Sequence, residues 1–314
     1  MKRDLLTIRD LSPKEIVGLI DKAEKMKAEL AAGTLPKSLD SKIVGLIFVK
    51  PSTRTRVSFE AAVYRLGGQA IFMTAKDTQI SRQEPLADMA RVLERYIDAI
   101  VIRTFAHRDV EELTQFASIP VINALTDYSH PCQILADLLT IREKRGSLDN
   151  LTVAWVGDGN NVANSWISAA GRLGFSLNLA CPPGYEPEKE VLDWAARQGR
   201  GKIRLVPDVK EAVSGADVLY TDVWASMGQE VEAQERMKAF ENYQINSRVM
   251  ECAPPHAIVL HCLPAHRGEE ITAEVLESLR APVFDQAENR LHLQMALLDW
   301  VIGSGELAEE DKNL

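Results

Sequence analysis

The sequence predicts an α/β protein made of two doubly wound parallel-sheet domains of similar size, linked by helices. Short apolar runs of strand length alternate with amphipathic helical patterns along most of the chain. That alternation builds parallel sheets covered by helices. A polar, glycine-marked break, Arg142-Glu143-Lys144-Arg145-Gly146-Ser147, splits the alternation into two series. The length of 314 residues suffices for two domains, each with its own core.

The elements follow in order. An amphipathic pattern from about Ser12 to Ala31 reads as the first helix. Strands are expected at Ile43 to Val49, 69–73, 98–102 and 120–123. Between the first two, Phe59, Ala62, Val63 and Leu66 fall at helical spacing, and the pattern stops at Gly67-Gly68. Helices are also expected at 85–96 and at 133–144, the latter opened by His130-Pro131-Cys132-Gln133. The second series has strands at Thr152 to Val156, 176–180, 203–206, 217–221 and 257–261. A last helix at about 287–302 is expected to return to the first block. The domains are therefore 1–146, with 287–314 packing back on it, and 147–286.

Composition narrows the function. The chain is 46% hydrophobic and 26% charged, as soluble globular proteins are. A formal net charge of −9 argues against a nucleic-acid partner. The four cysteines, Cys132, Cys181, Cys252 and Cys262, show no C-x-x-C pair, so reduced cytosolic thiols are expected. Neither an apolar signal core nor a run of membrane-spanning length is present, so the expected location is cytoplasmic with no membrane partner.

In open α/β sheets ligands bind beyond the carboxyl ends of the strands. Reading past those ends yields Arg54, Gln79, Arg103, Asn123, Asn161, Asp222 and Cys262. The run Phe48-Val49-Lys50-Pro51-Ser52-Thr53-Arg54-Thr55-Arg56 stands where a strand hands over to a helix N-terminus. That end of a helix already carries about half a positive charge, so cations there call for an anion. Free amide N–H groups, three hydroxyls and Arg54 together suit a phosphate better than a serine cap with solvated arginines does.

Val156-Gly157-Asp158-Gly159-Asn160-Asn161-Val162 opens like a dinucleotide fingerprint. Val162 replaces its third glycine, and the next strand ends in Cys181-Pro182-Pro183 with no acid for a ribose, so no nicotinamide cofactor is expected. The Gly-x-Gly turn still lets a ligand approach the backbone. Asn161 is a helix cap or a ligand amide, and spacing favours the cap. No phosphate-binding loop of the Gly-x-x-x-x-Gly-Lys type occurs. His130 and Gln133 are one turn apart, and as isolated residues they are more often structural than catalytic. Asp222, in Asp222-Val223-Trp224-Ala225-Ser226-Met227-Gly228, is a turn acid or a carboxylate that holds an amine. Neighbouring residues of a strand point to opposite faces, so His261 and Cys262 are not expected to form a nucleophile–base dyad.

Together these motifs resemble the aspartate and ornithine carbamoyltransferases, and the ornithine branch most, over nearly the whole chain and in order. The resemblance implies carbamoyl-phosphate contacts at Ser52, Thr53, Arg54, Thr55, Gln79, Arg103, His130, Gln133, Cys262, Leu263 and Arg290. It implies an ornithine site at Asn161, Asp222, Ser226 and Met227, with Arg54, Arg103, His130 and Cys262 as the catalytic set. Ser-Thr-Arg-Thr and His-Pro-x-Gln belong to the whole superfamily. Asp-x-x-x-Ser-Met-Gly with His-Cys-Leu-Pro is the part specific to ornithine. Ser81-Arg82-Gln83-Glu84 departs from the usual Gly-Arg-Gly-Glu.

The implied reaction carries the carbamoyl group from carbamoyl phosphate to the side-chain amine of L-ornithine. It gives citrulline and phosphate, in arginine biosynthesis or the arginine deiminase route, with no cofactor and no metal. The family also implies a homotrimer or an assembly of trimers. The alternatives are a transcarbamoylase for another amine, such as a modified ornithine or putrescine, and a non-catalytic ligand-binding relative.

Overall fold

The computed structural model describes residues 2–74, 84–225, 233–303 and 306–307. The chain splits into two compact units, Met1–Leu139 with Glu288–Leu314 and Thr140–Ala287.

In the first unit, α1 (Pro13–Ala32) starts from a Ser12–Glu15 capping box with proline in its first turn. It stops at Gly33, whose φ of 72° is the left-handed conformation that glycine adopts without strain. Then follow β1 (Ile43–Phe48), α2 (Thr53–Arg65), β2 (Gln69–Thr74), α3 (Leu86–Leu93), β3 (Ala99–Arg103), α4 (His107–Phe116), β4 (Val121–Leu125) and α5 (Pro131–Arg145). The four strands form one parallel sheet in the order β2-β1-β3-β4. Phe59, Ala62, Val63 and Leu66, the expected apolar face of α2, are all fully buried. On one side of the sheet Ile47, Ile100, Ile102, Val110 and Leu113 pack into a core. Leu5 pairs along the outer edge of β4, exchanging backbone bonds with Val121 and Asn123, so that edge is covered.

The second unit runs β5 (Thr152–Val156), α6 (Asn161–Leu173), β6 (Ser176–Ala180), α7 (Lys189–Gln198), β7 (Lys202–Leu205), α8 (Val209–Val213), β8 (Val218–Thr221), α9 (Ala233–Ala239), α10 (Ser247–Cys252), β9 (Ile258–His261) and α11 (Ala273–Leu276). Its parallel sheet has the order β7-β6-β5-β8-β9. The last helix, α12 (Val283–Val301), begins earlier than the expected 287 because its first turn opens at Pro282, whose carbonyl accepts from the Gln286 N–H. Arg290 therefore stands two turns into the helix.

Each sheet changes winding direction once. In the first unit β1 lies between β2 and β3, and in the second β5 lies between β6 and β8. Successive connections leave such a strand in opposite directions and open a crevice at its carboxyl end. The crevices are bordered by residues 49–55 and 103–104 in one unit and by 157–160 and 222–224 in the other. No helix among the described residues is long and apolar enough to cross a membrane.

Candidate active site

At the crevice of the first unit, Ser52 caps α2 and its hydroxyl accepts from the Thr55 N–H at 3.3 Å. The Ser52 hydroxyl in turn donates to Thr55 Oγ1 at 3.1 Å. Thr55 is fully buried, and its Oγ1 also accepts from Arg290 Nη2 at 2.7 Å. Arg290, Arg103, Lys50 and His130 are all buried. Burial is the main cause that pushes His130 well below the ordinary imidazole range, and the charges of Arg290, Arg103 and Lys50 push it further. His130 is therefore a neutral ring at neutral pH, a hydrogen-bond donor set among cations. Lys50 bonds Asp127 at 3.1 Å and lies over the Phe105 ring. Cations gathered in a poorly solvated crevice attract a small anion strongly, because little solvent screens them.

Arg54 and Thr53 do not join this buried cluster. Both are exposed on the first turn of α2, since helical geometry turns only Thr55 of the three toward the interior. Arg56 is held locally by Glu60 at 3.0 Å and by the Phe72 ring, 3.6 Å from its guanidinium carbon. Asn123, read from its strand end as a candidate, is fully buried and its amide donates to the Leu6 carbonyl at 2.8 Å, a structural bond. Gln133 Nε2 donates to the buried Asp137 at 2.8 Å.

At the crevice of the second unit, Asp222 is the centre. Its carboxylate accepts from Asn160 Nδ2 at 2.8 Å and from the Cys262 thiol at 3.1 Å. Asn160, not Asn161, caps α6: its side-chain oxygen accepts from the N–H groups of Val162 and Ala163. The expected cap is thus displaced by one residue, and a single asparagine closes the helix while its amide donates to Asp222. Behind it Asp158 forms a buried ion pair with Arg236 at 3.0 Å, and Arg236 also donates to the Trp224 carbonyl at 2.8 Å. Burial raises the Asp158 carboxyl to about 6 against the lowering effect of Arg236, and Asp222 adds to the rise.

At Gly159 the Gly-x-Gly turn serves the chain's own packing. A Cβ on Gly159 would come within 2.2 Å of Pro187 N, so the chain's own 186–187 backbone makes the close approach there, not a ligand. His261 and Cys262 part company as strand geometry requires. His261 is fully buried, with Nε2 on Glu270 at 3.0 Å and Nδ1 accepting from the Leu263 N–H at 2.8 Å. Asp222, His261 and Cys262 offer ligand atoms within 4.8 Å of one another. Both His261 nitrogens are already committed, so that trio is ill suited to hold an ion.

The sheets thus collect Ser52, Thr55, Arg103, His130, Gln133 and Arg290 in one unit and Asp222, Cys262 and Leu263 in the other, with Asn161 beside them on the first turn of α6. Gln79, Ser226 and Met227 lie outside the described residues, as does most of the Ser81 to Glu84 segment. Sequence reading missed Asn160, Asp158, Arg236 and Asp137. Only Asp137 had a signal to find it by, since Gln133 and Asp137 are spaced i, i+4 on one helix.

Comparison with known proteins decides what this arrangement belongs to. The carbamoyl-P binding domain of aspartate/ornithine carbamoyltransferase matches residues 3–143, and the Asp/Orn binding domain of the same family matches 149–301. The chain belongs to the aspartate/ornithine carbamoyltransferase family. Among carbamoyltransferases, the ornithine carbamoyltransferase of Desulfotalea psychrophila is 54% identical over 303 residues, covering 96% of this chain and 100% of that protein. That of Thermococcus kodakarensis is 50% identical, covering 96% of each. The solved ornithine carbamoyltransferase of Pyrococcus furiosus superposes with a TM-score of 0.93 at 49% identity, covering 97% of this chain and 98% of that one. The anabolic ornithine carbamoyltransferase of Campylobacter jejuni gives a TM-score of 0.91 at 40% identity, covering 96% and 99%.

Proposed function

We propose that the protein transfers the carbamoyl group of carbamoyl phosphate to the side-chain amine of L-ornithine, forming L-citrulline and phosphate. The observation that carries this reading is the buried set Arg103, Arg290 and Lys50 around a neutral His130 at the switch point of the first sheet. A small dianion suits those charges, and a neutral imidazole can donate to a carbonyl oxygen without adding repulsion.

In this reading residues 1–146, with the last helix, bind carbamoyl phosphate, and residues 147–286 bind ornithine. The α2 N-terminus, Ser52, Thr53, Arg54, Arg103 and, by the family motif, Gln79 hold the phosphate. Thr55, Arg103, His130, Gln133 and Arg290 surround the carbamoyl group, with Cys262 and Leu263 completing its contacts. Donors aimed at the carbonyl oxygen stabilise the charge that develops as the tetrahedral centre forms. Asp222 takes the amino-acid end with Asn161, Ser226 and Met227.

The free amine of ornithine resembles that of lysine, with a pKa of about 10.4, so it arrives protonated and must lose a proton to attack. Cys262, whose thiol donates to Asp222 at 3.1 Å, is the candidate to orient that amine or take its proton. The amine nitrogen then bonds to the carbamoyl carbon, the carbon–oxygen bond to phosphate breaks, and phosphate leaves with the electron pair. Holding both substrates in register supplies much of the acceleration. The reading extends to a homotrimer acting in the cytoplasm, and light scattering at three chain masses tests the oligomer.

The test of the reaction is purified protein with carbamoyl phosphate and a panel of amines, scored by the citrulline colour assay. Ornithine is expected to give product well above putrescine, lysine and aspartate. Turnover of another amine in preference would move the assignment within the family. Turnover of none would leave a binding protein.

A further inference from the structure

Gln133 occupies the first turn of α5 beside His130, with its backbone N–H on the His130 carbonyl at 3.2 Å. Its side chain is 1% exposed, so each end of the amide needs a partner from the protein or from a ligand. One turn on, Asp137 is fully buried, and its Oδ1 accepts from Gln133 Nε2 at 2.8 Å. With Nε2 as the donor in this bond, the NH2 end of the amide faces Asp137 and the carbonyl end faces away. Gln133 Oε1 is buried and finds no hydrogen-bond donor among the described residues. A buried acceptor left without a donor is costly to a fold, and such a cost is tolerated where a ligand supplies the missing group.

We propose that Asp137 is a positioning and specificity residue: by holding the NH2 end of Gln133, it presents Oε1 as an acceptor and makes the site select an acyl phosphate that carries –NH2. The proposal rests on the reading of this crevice as the carbamoyl-phosphate site. Carbamoyl phosphate and acetyl phosphate share a phosphate and a carbonyl and differ in –NH2 against –CH3. The amide nitrogen of the first is a donor that satisfies Oε1, whereas the methyl of the second leaves it bare. Without Asp137 the Gln133 amide can turn over, and the distinction weakens.

The experiment compares the full-length wild type with Asp137→Asn, measuring the KM for carbamoyl phosphate and the Ki of acetyl phosphate as a competing ligand. Asparagine keeps the size of the side chain and offers both a donor and an acceptor, so either orientation of Gln133 is satisfied. The ratio of acetyl-phosphate Ki to carbamoyl-phosphate KM is expected to fall about tenfold in the variant, with the ornithine KM and the melting temperature little changed. Gln133→Leu should lose the same selectivity, and adding Asp137→Asn to it should change the ratio no further.

An unchanged ratio in Asp137→Asn overturns the proposal, as does a further change in the Gln133→Leu background. Should Asp137→Asn not fold, wild-type selectivity in Gln133→Leu alone overturns it. Citrulline formation by the wild type with no shift in the ratio sinks this proposal only, whereas no citrulline from the wild type sinks the reading beneath it.

Discussion

Replacing Arg54 with methionine sets two effects of opposite sign against each other. Arg54 is exposed and enters no hydrogen bond or ion pair among the described residues. Surface substitutions of that kind change stability by about ±0.5 kcal/mol. Removing a cation from the first turn of α2 relieves a macrodipole repulsion of roughly 0.3–1 kcal/mol. Methionine is also a good helix former. The melting temperature should therefore stay level or rise, by no more than about 2–4 °C for a domain of this size.

Activity should move the other way. A hydrogen bond to a charged group contributes about 1.5–3 kcal/mol, and a guanidinium can give a phosphate two. Losing both corresponds to a fall of roughly 10²–10⁴ in kcat/KM. Citrulline formation over a range of carbamoyl phosphate, beside a thermal melt, reads both quantities. Near-normal turnover at an unchanged melting temperature would refute the placement of Arg54 on the phosphate and leave the anion to the buried arginines alone. A collapse of the melt would refute the inference from its exposure.

Other substitutions test the packing that builds the two crevices. Thr55→Val keeps the shape of a buried side chain and removes the oxygen that accepts from Arg290, so chemical denaturation should show a loss of about 1.5–3 kcal/mol. Gly159→Ala drives a methyl into the 186–187 backbone and should cost about 1–3 kcal/mol, measured the same way. His130 stays neutral in the folded chain, whereas the unfolded chain takes up a proton as pH falls below about 6.5. Stability present above that pH should therefore be lost on acidification, by up to about 1.4 kcal/mol per pH unit until the folded ring itself protonates. His130→Asn should remove that part of the slope, which urea melts at pH 7.5, 6.5 and 5.5 would reveal.

Much of the fold was legible because its signals are local. Strands buried on both faces show as unbroken apolar runs, so β1, β3 and β5 stand within a residue or two of their expected positions. The apolar spacing of α2 and the proline at the head of α5 are likewise properties of adjacent residues. The cap of α6 was misplaced because Asn160 and Asn161 offer the same side chain, and only the backbone decides which of them stands outside the helix. The Gly159 contact was illegible because the segment that presses on it arrives from beyond the following strand.

The sequence by itself determined the alternation of strands and helices, the break between two series and the motifs at the strand ends, since each depends on residues a few positions apart. The tertiary structure decided which of those residues meet. Arg290 reaches Thr55 across 235 positions of chain, while Arg54, next to Thr55, stays in solvent. Asp222 gains Cys262 and Asn160 because β8 lies between β5 and β9, an order that no local pattern encodes. Periodicity says which face of an element is apolar, but the partner on that face is chosen by how the sheets wind and what their helices cover.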